Sequence, residues 1–312
     1  MAPKLGYLLP TREAVMEGRP AAAPLLRLAE KAEDLGFDSV WIGDSVTARP
    51  RHEPLTMLAA VAGRTRRVEI GTAVLLPALR NPVLLAHQAA TLDQASEGRL
   101  ILGVGIATDV PNIRQEFRAC GVPFEKRVGT MLEGLRLMRA LWSGEPVDWD
   151  GRWKLEGQSV GPTPHRPGGP PIWMGAKVEA AFRRIAKEFD GWFPNGPDPA
   201  GWAAQRAELN RHIVAAGRSP GDVTGALYAT FAIDDDVAKA DARMNDFMAS
   251  YYGQRPDVMR KLQISFAGPA EVAAEALRAY AAAGVEHICL RFAGDHDQSL
   301  EAFAKIRGAL GW

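Results

Sequence analysis

The sequence has few of the residues that announce a metal or a built-in nucleophile. Its six histidines are scattered, with no His-x-His or His-Glu-x-x-His, and no Gly-x-Ser-x-Gly turn occurs. Only two cysteines are present, Cys120 and Cys289, at no metal or redox spacing. They read as small buried apolar residues of a protein from a reducing cytoplasm. Net charge is also lacking. Lys plus Arg and Asp plus Glu both number 37, so no overall field favours nucleic acid or an anionic membrane surface. No window approaches the roughly 18 uninterrupted apolar residues of a membrane helix. The apolar start Leu5–Pro10 is too short for a signal-peptide core, and Thr11-Arg12-Glu13 follows it. No dinucleotide fingerprint is apparent either, so reducing equivalents would come from outside the chain.

What the chain does have is apolar residues, 47% of its 312 positions, enough to fill a sizeable core. They fall in short continuous runs: Leu5–Leu9, Ser39–Ile42, Val68–Leu76, Leu100–Val104, Ile172–Met174, Gly191–Phe193, Ala226–Ile233 and His287–Phe292. Continuous rather than alternating runs suit parallel strands buried on both faces. Helical spacing separates them, as in Leu25, Leu28, Ala29, Ala32 and Leu35, which Gly36 then ends. Eight such strand–helix units predict a (β/α)8 TIM barrel, a single domain over 1–312, with insertions after strands 4 and 7. The first insertion should hold a hairpin, Val147–Trp149 and Trp153–Leu155 flanking Asp150-Gly151. The second should hold a helix, Val237–Tyr252, and then a loop. The barrel should close by pairing Leu5–Leu9 with His287–Phe292.

Barrel active sites lie at the C-terminal ends of the strands. That rule nominates Thr11 and Arg12, Asp44–Arg51, Ala73–Leu76, Gly103–Asp109, Gly175–Val178, Pro194–Gly196 and Arg291. These segments are rich in backbone and poor in nucleophiles, which points to a cofactor that brings the reactivity.

Several of them resemble the bacterial-luciferase-like flavin oxidoreductases. The matching pieces are Gly36–Trp41, Ile70–Pro77 with Arg80-Asn81-Pro82-Val83, Ala90–Asp93, Ser96–Leu100, Leu102–Gly105, Pro171–Ala176 and Asp190–Phe193. The resemblance implies reduced FMN, or alternatively the deazaflavin coenzyme F420, in the barrel mouth. Ala73-Val74 matches a β-bulge with a non-proline cis peptide behind the isoalloxazine ring, and Leu76 follows it. Gly103, Gly105 and Ile106 would line the ring or its ribityl chain, with Ile106 where luciferases proper place a phosphate-binding arginine. Gly175, Ala176, Lys177 and Val178 would hold the cofactor phosphate through backbone N–H groups, with the Lys177 ammonium a candidate helper. Deazaflavin sugar-phosphate dehydrogenases have an acid where Thr108 stands, and Asp109 is one residue away.

Asp44-Ser45 stands where many relatives have an acid and a histidine. Serine does not titrate usefully near neutral pH, so histidine acid–base catalysis from this position is excluded. Asp44 would orient substrate or water, or cap the following segment. Arg49, Arg51, His52 and Glu53 form a charge cluster expected to be solvated. Arg291 would hold an anionic substrate group or the flavin's pyrimidine carbonyls, or else pair with Asp295 or Asp297. His87 reads as a packed helix residue. The expected function is a two-component flavin monooxygenase: reduced FMN from a separate flavin reductase, oxygen and a small organic substrate. The alternatives are an F420-dependent dehydrogenase or reductase, and a flavin-binding protein without turnover. The protein should be cytoplasmic, with a homodimer left open as its assembly.

Overall fold

The structure is a computed structural model that describes residues 2–176 and 178–312. Eleven strands are present among them: β1 (Lys4–Leu8), β2 (Ser39–Ile42), β3 (Glu69–Thr72), β4 (Leu100–Val104), β5 (Val147–Asp150), β6 (Lys154–Gln158), β7 (Ile172–Met174), β8 (Gly191–Trp192), β9 (Thr224–Ile233), β10 (Ser265–Gly268) and β11 (His287–Phe292). The helices are α1 (Thr11–Met16), α2 (Ala22–Asp34), α3 (Pro54–Arg64), α4 (Pro82–Ala95), α5 (Pro111–Ala119), α6 (Arg127–Leu141), α7 (Glu179–Glu188), α8 (Pro199–Ala215), α9 (Val237–Tyr252), α10 (Pro256–Leu262), α11 (Ala270–Ala282) and α12 (His296–Leu310). The sheet order is β10-β9-β11-β1-β2-β3-β4-β7-β8, with β8 pairing β9 to close a parallel α/β barrel. The expected closure is present, with Leu5 opposite Ile288 and Tyr7 opposite Leu290. Strands β2, β4 and β11 are buried along their whole length, as continuous apolar runs require.

Three elements differ from the sequence reading. The third strand ends at Thr72 rather than Leu76, just before the cis Ala73–Val74 peptide, and Leu75 then makes an isolated parallel bridge to Val104. The residues after α9 were expected to form a loop, yet Pro256 opens α10 as a first-turn proline. A ninth sheet strand, β10, then lies against Thr230–Ile233 of β9, four residues being too few to show a period. The hairpin β5–β6 and helix α9 stand where they were expected.

Contacts divide the chain into two compact units, residues 1–9, 23–41 and 173–312, and residues 10–22 and 42–172. The first unit contains an aromatic layer of Trp41, Trp173, Phe193 and His287, with ring centroids 5.1–5.8 Å apart. The Trp41 indole donates to Ser39 Oγ at 2.6 Å, and Ser39 Oγ lies 2.7 Å from His287 Nε2. Burial pushes the His287 imidazole down to about 3, so it is neutral in the core. In the second unit Arg99 joins helix to strand. Its guanidinium donates to the Ala62, Thr65 and Val68 carbonyls, capping the end of α3.

Candidate functional site

In the second unit, the chain leaving β2 is held by two buried carboxylates. The first is Asp44, whose side chain is only 2% exposed. It takes both Nη atoms of Arg80, at 2.5 and 3.0 Å, and the Leu76 N–H at 2.9 Å. Asp44 therefore ties the exit of β2 to the exit of β3, and it caps no helix. Glu53 performs the capping, accepting from Thr56 N at 2.7 Å, and it also receives Arg80 Nη2. The charge cluster expected to be solvated is thus engaged. The His52 ring lies 2.8 Å from the Pro20 carbonyl. Arg51 packs over Gly43, where a Cβ would stand 2.4 Å from its Nη1.

The second carboxylate is Glu116 of α5, fully buried. Its Oε1 accepts from Ser45 Oγ at 2.7 Å and from the backbone N–H groups of Val46, Thr47 and Ala48 at 2.5–3.1 Å. Ser45 is thereby a latch for its own loop. The sequence reading missed both Glu116 and Arg80 as site residues. A glutamate on an amphipathic helix reads as solvated, and nothing local marks it as the partner of a serine 71 residues away.

The strand-3 exit carries the cis Ala73–Val74 bond that the resemblance implies. Ala73 and Val74 are half-buried, whereas Ile70–Thr72 and Leu75–Ala78 are buried, so accessible surface opens at this pair. The backbone around it is fixed from β4: Leu75 N donates to Gly103 O at 2.7 Å, and Gly105 N donates to Leu75 O at 2.9 Å. A Cβ on Gly105 would meet Val74 Cγ2 at 2.7 Å, so this glycine makes room for Val74. Ile106 follows, its carbonyl accepting Arg127 Nε at 2.9 Å, and Ala107 takes the left-handed region at φ 62°. A non-glycine residue there is uncommon and marks a backbone set by its surroundings. Asp109 is not in this arrangement. It pairs with Arg114 on the surface, and that hydrogen bond holds its carboxyl below the ordinary range.

The remaining candidates belong to the first unit. Gly175 and Ala176 leave β7, the Ala176 carbonyl accepting the Trp192 indole at 2.9 Å, and Val178 is the exposed N-cap of α7. Lys177 lies outside the described residues. Arg291, near the C-terminal end of β11, is 1% exposed. Its Nε and Nη2 donate to Thr230 Oγ1 at 3.1 and 2.8 Å, Nη2 to Gln263 Oε1 at 3.0 Å, and Nη1 to the Tyr252 hydroxyl at 2.6 Å. Four aromatic rings surround the guanidinium, Phe247 and Tyr251 with centroids within 4.9 Å and Tyr228 and Tyr252 at 5.3 Å. The alternative role, a pairing with Asp295 or Asp297, does not occur. Asp295 caps α12 through Gln298 N, and Asp297 pairs with Lys31. His87 also departs from expectation, standing exposed on α4.

A barrel whose strand exits offer backbone and small residues, with carboxylates held by internal partners, suits a cofactor that supplies the reactivity. The chain belongs to the luciferase-like monooxygenase family, which matches residues 3–311. It is 32% identical over 240 residues to the 5,10-methylenetetrahydromethanopterin reductase of Methanolobus tindarius, 76% of this chain and 70% of that one. It is 34% identical over 175 residues to the F420-dependent glucose-6-phosphate dehydrogenase of Nocardia farcinica. That match spans 54% of this chain and about half, 52%, of the relative. Among solved structures, an F420-dependent secondary alcohol dehydrogenase in complex with an F420-acetone adduct superposes with a TM-score of 0.84 at 20% identity, covering 99% of both chains. A monooxygenase from Streptomyces bottropensis gives 0.82 at 24% identity, over 99% of this chain and 100% of its own. These two likenesses bear on the fold.

Proposed function

We propose that this chain is a deazaflavin (F420)-dependent dehydrogenase or reductase acting on a small organic substrate. The observation that carries the reading is the 34% identity to a relative that is itself F420-dependent. The residues fit such a coenzyme. Ala73 and Val74 present half-buried apolar surface suited to the back of a flat ring, and Val178 is the N-cap of α7, a helix N-terminus where an anion is favoured. F420, when bound, supplies hydride transfer. The chain's own part is to seat the ring on Ala73-Val74, to fix that seat through Asp44 and Arg80, and to exclude water around the substrate.

The test is anaerobic turnover. Purified protein is mixed with oxidised F420 and a panel of alcohols, and with reduced F420 and a panel of enones and imines, following the deazaflavin absorbance. The expected result is substrate-dependent change in one direction or the other. The rival reading uses reduced FMN, a separate reductase and oxygen, and Ser45 favours it because a serine engaged by Glu116 cannot serve as acid or base. Oxygen-dependent product formation with reduced FMN, and none with F420, would replace the first reading with the second.

A further inference from the structure

Arg291 is a buried cation whose partners are all neutral. Its hydrogen bonds end on a threonine hydroxyl, a tyrosine hydroxyl and a glutamine carbonyl. Among the described residues it forms no ion pair with a carboxylate. Burying a guanidinium is costly unless an anion accompanies it, and a protein that needs only structural glue does better with an apolar side chain. The four aromatic rings supply some negative face to the cation, which is less than a carboxylate would give. The position is also that of a ligand group. Arg291 lies opposite Thr230 in the register of β11 and β9, toward the C-terminal ends of both strands, where barrel active sites are built.

We propose that Arg291 anchors the carboxylate of the substrate, so that the reaction acts on a small organic acid. This rests on the oxidoreductase reading above and names the substrate class for it. One guanidinium provides one positive charge, which matches a carboxylate monoanion. A phosphate dianion would leave a second charge uncompensated among aromatic rings. The way in is at Tyr252. Thr230, Gln263 and Arg291 are buried, whereas Tyr252 is half-buried and ends α9, with Gly253 following in the left-handed region at φ 62°. A carboxylate arriving from the Tyr252 side takes over Nη1 from the neutral hydroxyl.

The experiment uses the full chain without added coenzyme and titrates sodium propionate, with propionamide and inorganic phosphate as comparison probes. The readouts are the Nε–H resonance of Arg291, assigned by its loss in Arg291→Lys, and intrinsic tyrosine and tryptophan fluorescence. Propionate is expected to shift the resonance saturably while propionamide does not. Arg291→Gln is expected to bind propionate about tenfold more weakly or worse, the loss of a charge-assisted contact. Should that variant fail to fold, Tyr252→Phe carries the test, because removing the competing hydroxyl should leave propionate binding equal or tighter. The inference is overturned by no saturable shift in either the parent or Tyr252→Phe, by equal binding in folded Arg291→Gln, or by preference for phosphate. Because no coenzyme is present, F420 binding without propionate binding rejects this inference alone. Propionate binding without F420 binding rejects the coenzyme reading alone.

Discussion

At the scale of single residues, two core positions have consequences that can be measured. Gly6 lies under the Ser39–Trp41 hydrogen bond, and a Cβ there would stand 2.2 Å from Ser39 Oγ and 2.4 Å from Trp41 Nε1. Gly6→Ala should therefore destabilise the protein by about 1–3 kcal/mol through overpacking, read as a lower urea midpoint with an unchanged slope. His287 makes stability depend on pH. Its folded value, about 3, lies below the unfolded value near 6.5 because burial disfavours the cation. The unfolded chain thus binds the extra proton between those limits. The stabilisation is fully present above about pH 6.5 and falls as pH drops toward 3, by up to about 1.4 kcal/mol per pH unit. Urea midpoints across this window should fall more steeply in the parent than in His287→Gln, and parallel profiles would show that the ring titrates normally. None of this was legible in the sequence, where His287 was simply one residue of an apolar run.

At the scale of elements, the exits of β2, β3 and β4 depend on partners far apart in the chain. Asp44 meets Arg80 across 36 positions, and Ser45 meets Glu116 across 71. Sequence reading could place Asp44 and Ser45 at a strand exit, because position in the βα unit is a local property. It could not supply their partners, because which buried charges meet is decided by packing. The cis bond is the converse case: a short stretch, Gly71–Pro77, carries it, and the resemblance located it. Removing one partner of a buried ion pair leaves the other without compensation. Arg80→Met should cost about 2–4 kcal/mol, less than a fully buried pair because Arg80 is 17% exposed. It should also speed hydrogen exchange at the Leu76 N–H, which Asp44 accepts. Unchanged stability and exchange would show that the latch does not hold the strand-3 exit. Glu116 is a parallel case, its Oε1 gathering the three consecutive N–H groups of Val46, Thr47 and Ala48.

At the scale of the whole molecule, the barrel was legible because parallel strands buried on both faces write continuous apolar runs, and eight of them alternate with helical periods. What was not legible is the inserted β10, four residues long, and α10, whose seven residues carry little period. The coenzyme was less legible still. Strand exits that offer backbone and small residues serve FMN and F420 alike, and the missing histidine at Ser45 tilted the sequence reading toward an oxygenase. The relatives tilt it the other way. Competitive equilibrium binding tests the proposed deazaflavin dependence most directly. The purified chain is titrated anaerobically with reduced F420 and with reduced FMN, each followed by fluorescence and each challenged with the other. Saturable F420 binding that excess FMN does not displace is expected. Tight FMN binding that F420 fails to displace would contradict it.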